Sequence, residues 1–442
     1  MLYRAAYTRR MALGLGAGTL LAACQPLRRE SALPAEAKPV KLVFWTHNYQ
    51  PLMNFVEAKI QAYKSVRPNV EIEYSTAPVV DHDRKIITTS AAGSGPDGFN
   101  NGDWNYPLLQ SRGFLAPVEP TAFGKRTHDE VANLYFDFSL VGLREGGKIY
   151  GIPFEWNALS LYWNRKHFQE AGLNPDNPPK DWLTLTDMAV KLTQRDAQGN
   201  ITRPGFQQSY GPGTEWPLKR LHPMIVQLGG DILSRDLKTA TINSPEALEA
   251  LDLYTAWTTR YKVSQEGFQV PGVQNLFAAG YLPLTVNGPY FPAAIRVANP
   301  NFRYKEDWDV TTFPQWPADK NKKTASALWR WALFVGSGSK AKEEMWRFID
   351  YITSDWQAVL TQVGYLPSRK GWQGQPITRE MPWLDIFLKD LEVGVPVPQT
   401  PKYQELAKEI LEMLERIYSG AQTVRQSADE AKRKIDDILK QP

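Results

Sequence analysis

Apolar and polar positions recur along this chain with two different periods, and the switches between them predict its elements. Val40–Trp45, apolar but for Lys41, reads as a strand of buried type. Leu52, Phe55, Val56, Ile60 and Tyr63 then recur at helical spacing as far as Val66, where Pro68 and Asn69 break the pattern. Val70, Ile72 and Tyr74 alternate as a second strand, so the opening reads as a βαβ unit and predicts a parallel pairing. Ligands of such sheets sit beyond the carboxyl ends of the strands, where Trp45 gives way to His47, Asn48 and Tyr49.

The same alternation organises the rest of the chain. A helix around Asp83–Ser90 leads through Gly93 and Pro96 to Gly98, Phe99, Asn100, Asn101, Gly102, Asp103 and Trp104. Gly146–Gly172 reads as two strands joined through an interruption at Pro153, with Glu155, Trp156 and Asn157 between them. Asn164 is placed to cap a helix over Arg165–Ala171 that Gly172 stops. Asn177–Thr193 predicts a proline-started amphipathic helix, and Asp196–Asn200 a tight turn without the later ligands of a calcium loop. Gly211–Trp216 reads as a glycine-rich loop ending in an aromatic ring.

Further on, Ser244 and Pro245 open a helix that runs to Trp257. Leu284 and Val286 form a strand ending at Asn287, with Tyr290 at the start of the next helix. Trp308–Pro314 is read as a crossing between two halves of the chain. Ser326–Ser337 is a strand carrying Trp329, Arg330 and Trp331, and a helix over Glu343–Thr361 buries Trp346. Tyr403–Leu439 divides into two amphipathic helices.

A chain of 442 residues is long for one domain and comfortable for two. Its formal net charge of +4 owes much to Arg4, Arg9 and Arg10 near the start, so no basic field argues for nucleic acid. Residues 1–23 have a basic start, an apolar run too short for a membrane span, and small residues before Cys24. They read as an export signal, and Leu21-Ala22-Ala23-Cys24 resembles the lipobox of bacterial lipoproteins, in which the cysteine is lipidated. Thr8-Arg9-Arg10 also resembles a twin-arginine signal, leaving the Sec and twin-arginine routes open. Cys24 is the one cysteine, which excludes an internal disulfide. Residues 24–39 are polar, proline-bearing and aperiodic, and read as a tether.

The five histidines (His47, His82, His128, His167, His222) stand at no metal-ligand spacing, and HExxH, GxSxG and phosphate-loop patterns are absent. The expectation is a protein that is not an enzyme and carries no cofactor. What stands out is 15 tryptophans, several beside glycine, proline or amide residues at strand ends. Sugar faces stack on such rings while their hydroxyls need Asn, Asp, Glu and Arg around them. The candidate ligand-binding residues are Trp45, His47, Asn48, Asn101, Asp103, Trp104, Glu155, Trp156, Asn157, Trp216, Tyr290, Trp329, Arg330, Trp331 and Tyr365. Arg330 is open to three partners: a ligand hydroxyl, a phosphate, or a carboxylate such as Asp103 or Glu155.

Several segments carry a resemblance in common. Tyr150-Gly151-Ile152-Pro153 followed by Leu161-Tyr162-Trp163-Asn164, Asn243-Ser244-Pro245-Glu246-Ala247, Asn287-Gly288-Pro289-Tyr290 and Gly364-Tyr365-Leu366-Pro367-Ser368-Arg369 resemble, in order, segments of the family 1 extracellular solute-binding proteins of ABC importers, the sugar-binding group. The chain departs from that pattern at Gly98, at Asn100-Asn101, and at Trp329-Arg330-Trp331, where glycines are usual; such bulk suggests a filled or reshaped pocket. The resemblance implies a two-lobed periplasmic-binding-protein fold of type II, each lobe a mainly parallel α/β sheet. The lobes are expected at residues 40–153 with about 313–360, and 154–312 with about 361–442, joined by crossings near Pro153–Asn157, Trp308–Pro314 and residue 360. It further implies a monomeric lipid-anchored protein outside the cytoplasm that closes over a di- or oligosaccharide and presents it to the transmembrane subunits of a permease. Two alternatives stand beside this: a binder of glycerol 3-phosphate or another phosphorylated polyol through Arg330, and a secreted glycosidase using Glu155 or Asp103.

Overall fold

The computed structural model describes residues 38–207, 215–271 and 275–441. The expected export signal, Cys24, nearly all of the tether, and residues 211–214 of the glycine-rich loop lie outside the described residues. In chain order the elements that matter are β1 (Val40–His47), α1 (Gln50–Val66), β2 (Val70–Ala77), α2 (Val79–Ala91), β3 (Gly98–Gly102), β4 (Ile152–Ala158), β5 (Ser160–Asn164), α3 (Trp182–Leu192) and β6 (Phe206–Gln207). They continue as α4 (Glu215–Gln227), α5 (Pro245–Thr259), β7 (Leu284–Asn287), α6 (Phe291–Ala298), β8 (Trp308–Thr312), β9 (Ser326–Val335) and α7 (Lys342–Ser354). The last are β10 (Leu366–Pro367), α8 (Leu384–Glu392), β11 (Gly394–Pro396), α9 (Tyr403–Tyr418) and α10 (Val424–Lys440).

Two main sheets organise these elements. The first has seven strands in the order β10-β4-β9-β3-β1-β2, with β11 also on β9. The second has four, β6-β7-β5-β8. β1 pairs in parallel with both β2 and β3, as the opening βαβ pattern predicts. β9 runs antiparallel to β3 and β4. The chain leaves the first sheet at Ala158 and enters the second at Ser160, with only Leu159 between.

Local chemistry explains where elements start and stop. Asn164 accepts from His167 N, and Gly172 follows that short helix with φ +69°. Ser244 caps α5 with Pro245 at its first position. The amphipathic helix expected from Asn177 is not started by its prolines: Asp181 caps it in a reciprocal capping box with Thr184. The helix expected over Glu343–Thr361 ends at Ser354, a three-residue turn follows, and Val359–Val363 widens into a π turn. Trp182 and Trp346 are buried in the cores of the two layers.

Both crossings between the sheets meet at one carboxyl group. Asp390, on α8, accepts from Ser160 Oγ at 2.5 Å, where β5 begins, and from Phe313 N at 3.0 Å, just past the end of β8. Ser326 Oγ donates to Leu159 O at 2.8 Å beside it. Asp390 is fully buried, which pushes its carboxyl up to about 8.

Candidate functional site

The segment Pro153–Asn157 is not an interruption between strands. Ile152–Ala158 is one continuous strand, and Pro153 falls where its pairing with β9 slips by a residue, a bulge that needs no N–H from the proline. Beyond that bulge Glu155, Trp156 and Asn157 stand directly opposite Trp331, Arg330 and Trp329. Because side chains alternate along a strand, the six residues divide between two faces.

Glu155, Asn157, Trp329 and Trp331 share one face. Asn157 Nδ2 donates to Glu155 Oε1 at 2.6 Å, which leaves Glu155 Oε2 and Asn157 Oδ1 buried with no partner. Burial holds the Glu155 carboxyl well above the usual carboxylate range, with the Asn157 bond and the Lys219 charge pulling the other way. His47, at the end of β1, stacks on Trp331 at 3.9 Å and accepts a hydrogen bond at Nδ1 from Asn100 Nδ2 at 2.9 Å. Its Nε2 lies 3.5 Å from the Tyr365 hydroxyl. Burial, with His82 nearby, lowers His47 to about 3, so the ring is neutral.

Trp156 and Arg330 occupy the other face. The Arg330 guanidinium, fully buried, donates from Nη1 to Ser139 O at 2.7 Å and from Nη2 to Val141 O at 2.6 Å. It lies 5.4 Å over the Trp156 ring, which packs in turn on Phe138 at 5.2 Å. Of the partners open to Arg330 in the sequence, backbone carbonyls were not among them; the carboxylate is Asp103, 3.8 Å away. Burial pushes Asp103 up to about 6 against the pull of Arg330 and Lys219, and Asp103 Oδ1 and Asn101 Nδ2 have no partner.

The second sheet and its helices close over the first face. Tyr49, just beyond β1, reaches Tyr290 O at 2.8 Å and Val363 O at 2.7 Å through its hydroxyl. Gly288, at the end of β7, lies so close to the facing residues that a Cβ there would come within 2.5 Å of the Tyr290 ring and 3.0 Å of Asn157 Oδ1. Helix α4 brings Lys219, whose ammonium stands 4.0 Å from the Trp104 ring centre, 4.7 Å from Trp329 and 5.0 Å from Trp216. Pro223 sits inside α4 and offers no N–H to the Lys219 carbonyl, which loosens the helix at this turn.

Of the remaining candidates, Trp45 and Asn48 lie apart from this face. Trp45 is half-buried with Lys85 Nζ 3.6 Å from its ring, and Asn48 is exposed. Trp216 lies in α4 and is half-buried, rather than ending a loop. Tyr365 is buried against Tyr49 and Phe154. Lys219 was not singled out in the sequence, and Tyr49 and Asn100, though placed at strand ends, were not among the candidates. The only sequence signal for Lys219 was its place three residues after Trp216, and for Tyr49 its place beyond a strand end.

A surface cavity of about 260 Å³, lined by Lys41, Asp97, Ser337 and Lys340 among others, opens at the opposite end of the first sheet. Asp97 there already accepts from Val43 N and Ser339 Oγ. Among the described residues no group of three His, Cys, Asp or Glu side chains could hold a metal ion, and no helix is long and apolar enough to cross a membrane.

Two unpartnered acceptors, Glu155 Oε2 and Asn157 Oδ1, lie on the face of Trp329 and Trp331, and Asp103 Oδ1 and Asn101 Nδ2 lie at the end of β3 on the side of Arg330. Such a place suits a small molecule rich in hydroxyl groups and with apolar faces. The fold is that of the two-lobed solute-binding proteins. Residues 47–358 match the bacterial extracellular solute-binding protein family, to which the chain belongs. A binding protein of Brucella abortus (strain 2308) is 25% identical over 429 residues, 92% of this chain and 95% of that one. The maltotriose-binding protein of Pyrococcus abyssi is 21% identical over 421 residues, 92% of this chain and 79% of that one. Among solved structures, an ABC transporter solute-binding protein from Thermotoga lettingae, bound with α-D-tagatose, superposes with a TM-score of 0.79 at 24% identity, covering 91% of this chain and all of that chain.

Proposed function

We propose that the protein captures a di- or oligosaccharide between its two lobes and delivers it to the permease of an ABC importer, held at the membrane by a lipid on Cys24. It acts by binding and closing, without catalysis, as a monomer. The observation that carries this reading is the face bearing Glu155, Asn157, Trp329 and Trp331. There a carboxyl oxygen and an amide oxygen are buried without partners among tryptophans, an arrangement that hydroxyl donors on an apolar ring would complete.

In this reading His47, Trp104, Glu155, Asn157, Trp216, Tyr290, Trp329, Trp331 and Tyr365 face the sugar. Asn101 and Asp103 supply the remaining unpartnered atoms at the end of β3. Trp156 and Arg330 hold the Asp137–Leu140 turn instead. The lobe boundary belongs to the proposal too, and is drawn at Leu159, where the chain changes sheets, a few residues past 153. The phosphorylated-polyol alternative rested on Arg330, whose terminal nitrogens donate to two backbone carbonyls, so it is not carried forward. The glycosidase alternative is set aside because the relatives named above are binding proteins.

Calorimetry against a panel of saccharides, amino acids and peptides tests the reading. Heat from at least one di- or oligosaccharide is expected. Silence toward every saccharide, with binding of an amino acid or peptide, would end it.

A further inference from the structure

The joint between the two layers is drawn together around one phenol. Tyr49 follows β1 of the first sheet and stands at the start of α1, where Met53 N donates to its carbonyl. Its ring lies parallel to Tyr365 at 5.5 Å and meets Tyr290 edge to face at 5.6 Å. The hydroxyl has a single hydrogen and two carbonyls in reach, Val363 O at 2.7 Å and Tyr290 O at 2.8 Å. Val363 ends the π turn, while Tyr290 precedes α6 and belongs with β7 of the second sheet.

The π turn itself straddles the two layers. Val359 and Val363 share a core with Phe55 and Val56 of α1, whereas Leu360 shares one with Phe291 and Ile295 of α6. From α6, Arg296 Nη2 donates to Thr361 O at 2.7 Å. Gly364 closes the turn at φ +80°, and a Cβ there would come 2.7 Å from Ala293 Cβ and 3.3 Å from Tyr290 O. Helix α6 thus comes down on bare backbone, and the Tyr49 hydroxyl meets it there.

We propose that Tyr49 is the latch of lobe closure. Its hydroxyl serves the Val363 and Tyr290 carbonyls while the lobes are shut, and water serves them once α6 draws away. Removing the hydroxyl leaves the buried Val363 carbonyl without that donor in the shut form alone, so the balance moves toward the open form. Tyr49 is therefore a positioning residue: it sets the closed fraction, and apparent affinity for every ligand scales with that fraction. The inference rests on the closing reading above.

The test is a calorimetric titration of the protein and its Tyr49→Phe and Arg296→Met variants with maltose, maltotriose, mannobiose and cellobiose, alongside thermal melts. Phe keeps the ring contacts and loses the hydroxyl. It should weaken binding of each sugar the parent binds by one common factor, about fivefold to tenfold, the worth of a hydrogen bond. Where the melt shows that Tyr49→Phe does not fold, Arg296→Met decides instead: this exposed position loosens α6 from the π turn and should weaken the same sugars by a common factor of about two. If the deciding variant binds each sugar as the parent does, or loses affinity unequally from sugar to sugar as a ligand-touching residue would, the latch is overturned while the saccharide reading stands. If the parent binds none of these sugars, the saccharide reading falls and this proposal with it.

Discussion

Strands β4 and β9 present two faces that differ in what they leave unfinished. On one, Arg330 donates to Ser139 O and Val141 O and covers Trp156, so the strand pair is pinned to a distant turn. On the other, Glu155 Oε2 and Asn157 Oδ1 are equally buried and have nothing to accept from. Neighbouring residues thus differ: Arg330 is bonded into the fold, while the buried oxygens of Glu155 and Asn157 are the ones assigned to a ligand in the proposed reading. A buried acceptor without a donor costs about 1–3 kcal/mol, which natural chains retain where a function collects it.

That contrast can be broken by substitution. The largest effect is expected from Arg330→Met, which strands two backbone carbonyls and Asp103 and should lower stability by about 3–5 kcal/mol in urea unfolding. Sugar affinity of the folded protein should hardly move; a large fall in affinity with stability intact would reverse the assignment of the faces. Trp156→Ala opens a void beside Phe138 and should cost about 3 kcal/mol of stability, again with affinity unchanged. On the unfinished face, Glu155→Gln removes a carboxyl that burial already disfavours. Stability should stay level or rise slightly, while sugar affinity falls by about 1–3 kcal/mol in calorimetry.

The smallest effect is on pH dependence, and two sets of groups pull in opposite directions. Asp390, raised from 3.8 to about 8, keeps its proton in the fold. Its contribution is complete below the unfolded value and is lost as pH rises toward about 8. His47 and His82, lowered from 6.5 to about 3 and about 4, stay neutral in the fold. Theirs is complete above 6.5 and is lost as pH falls through that value toward the folded ones. Melting temperatures should therefore decline on both sides, and Asp390→Asn should make the alkaline limb shallower while Glu155 and Asp103, also raised, still contribute to it; an unchanged alkaline limb would remove Asp390 as a cause.

Much of the fold was legible because local chemistry and tertiary context agree. The opening βαβ unit, the caps at Asn164 and Ser244, and the two closing helices all follow from period and capping residues. The candidate site was legible only in part. Glu155 and Asn157 stood out as polar residues in an apolar stretch, but Pro153 looked like a break. A bulge at that point keeps the strand going and decides which neighbours share a face. The partners of Arg330 are carbonyls of a turn nearly two hundred residues away, for which no side chain advertises itself. Nothing in the sequence singled out Lys219, and only the packing of the two layers brings it among tryptophans.

The carboxyl of Asp390 grips Ser160 at the outgoing passage and Phe313 at the returning one. Two ribbons fastened there and, next to it, where Ser326 donates to Leu159, cannot slide lengthwise without tearing those bonds loose. Lobes that close as proposed should thus meet in the same alignment each time.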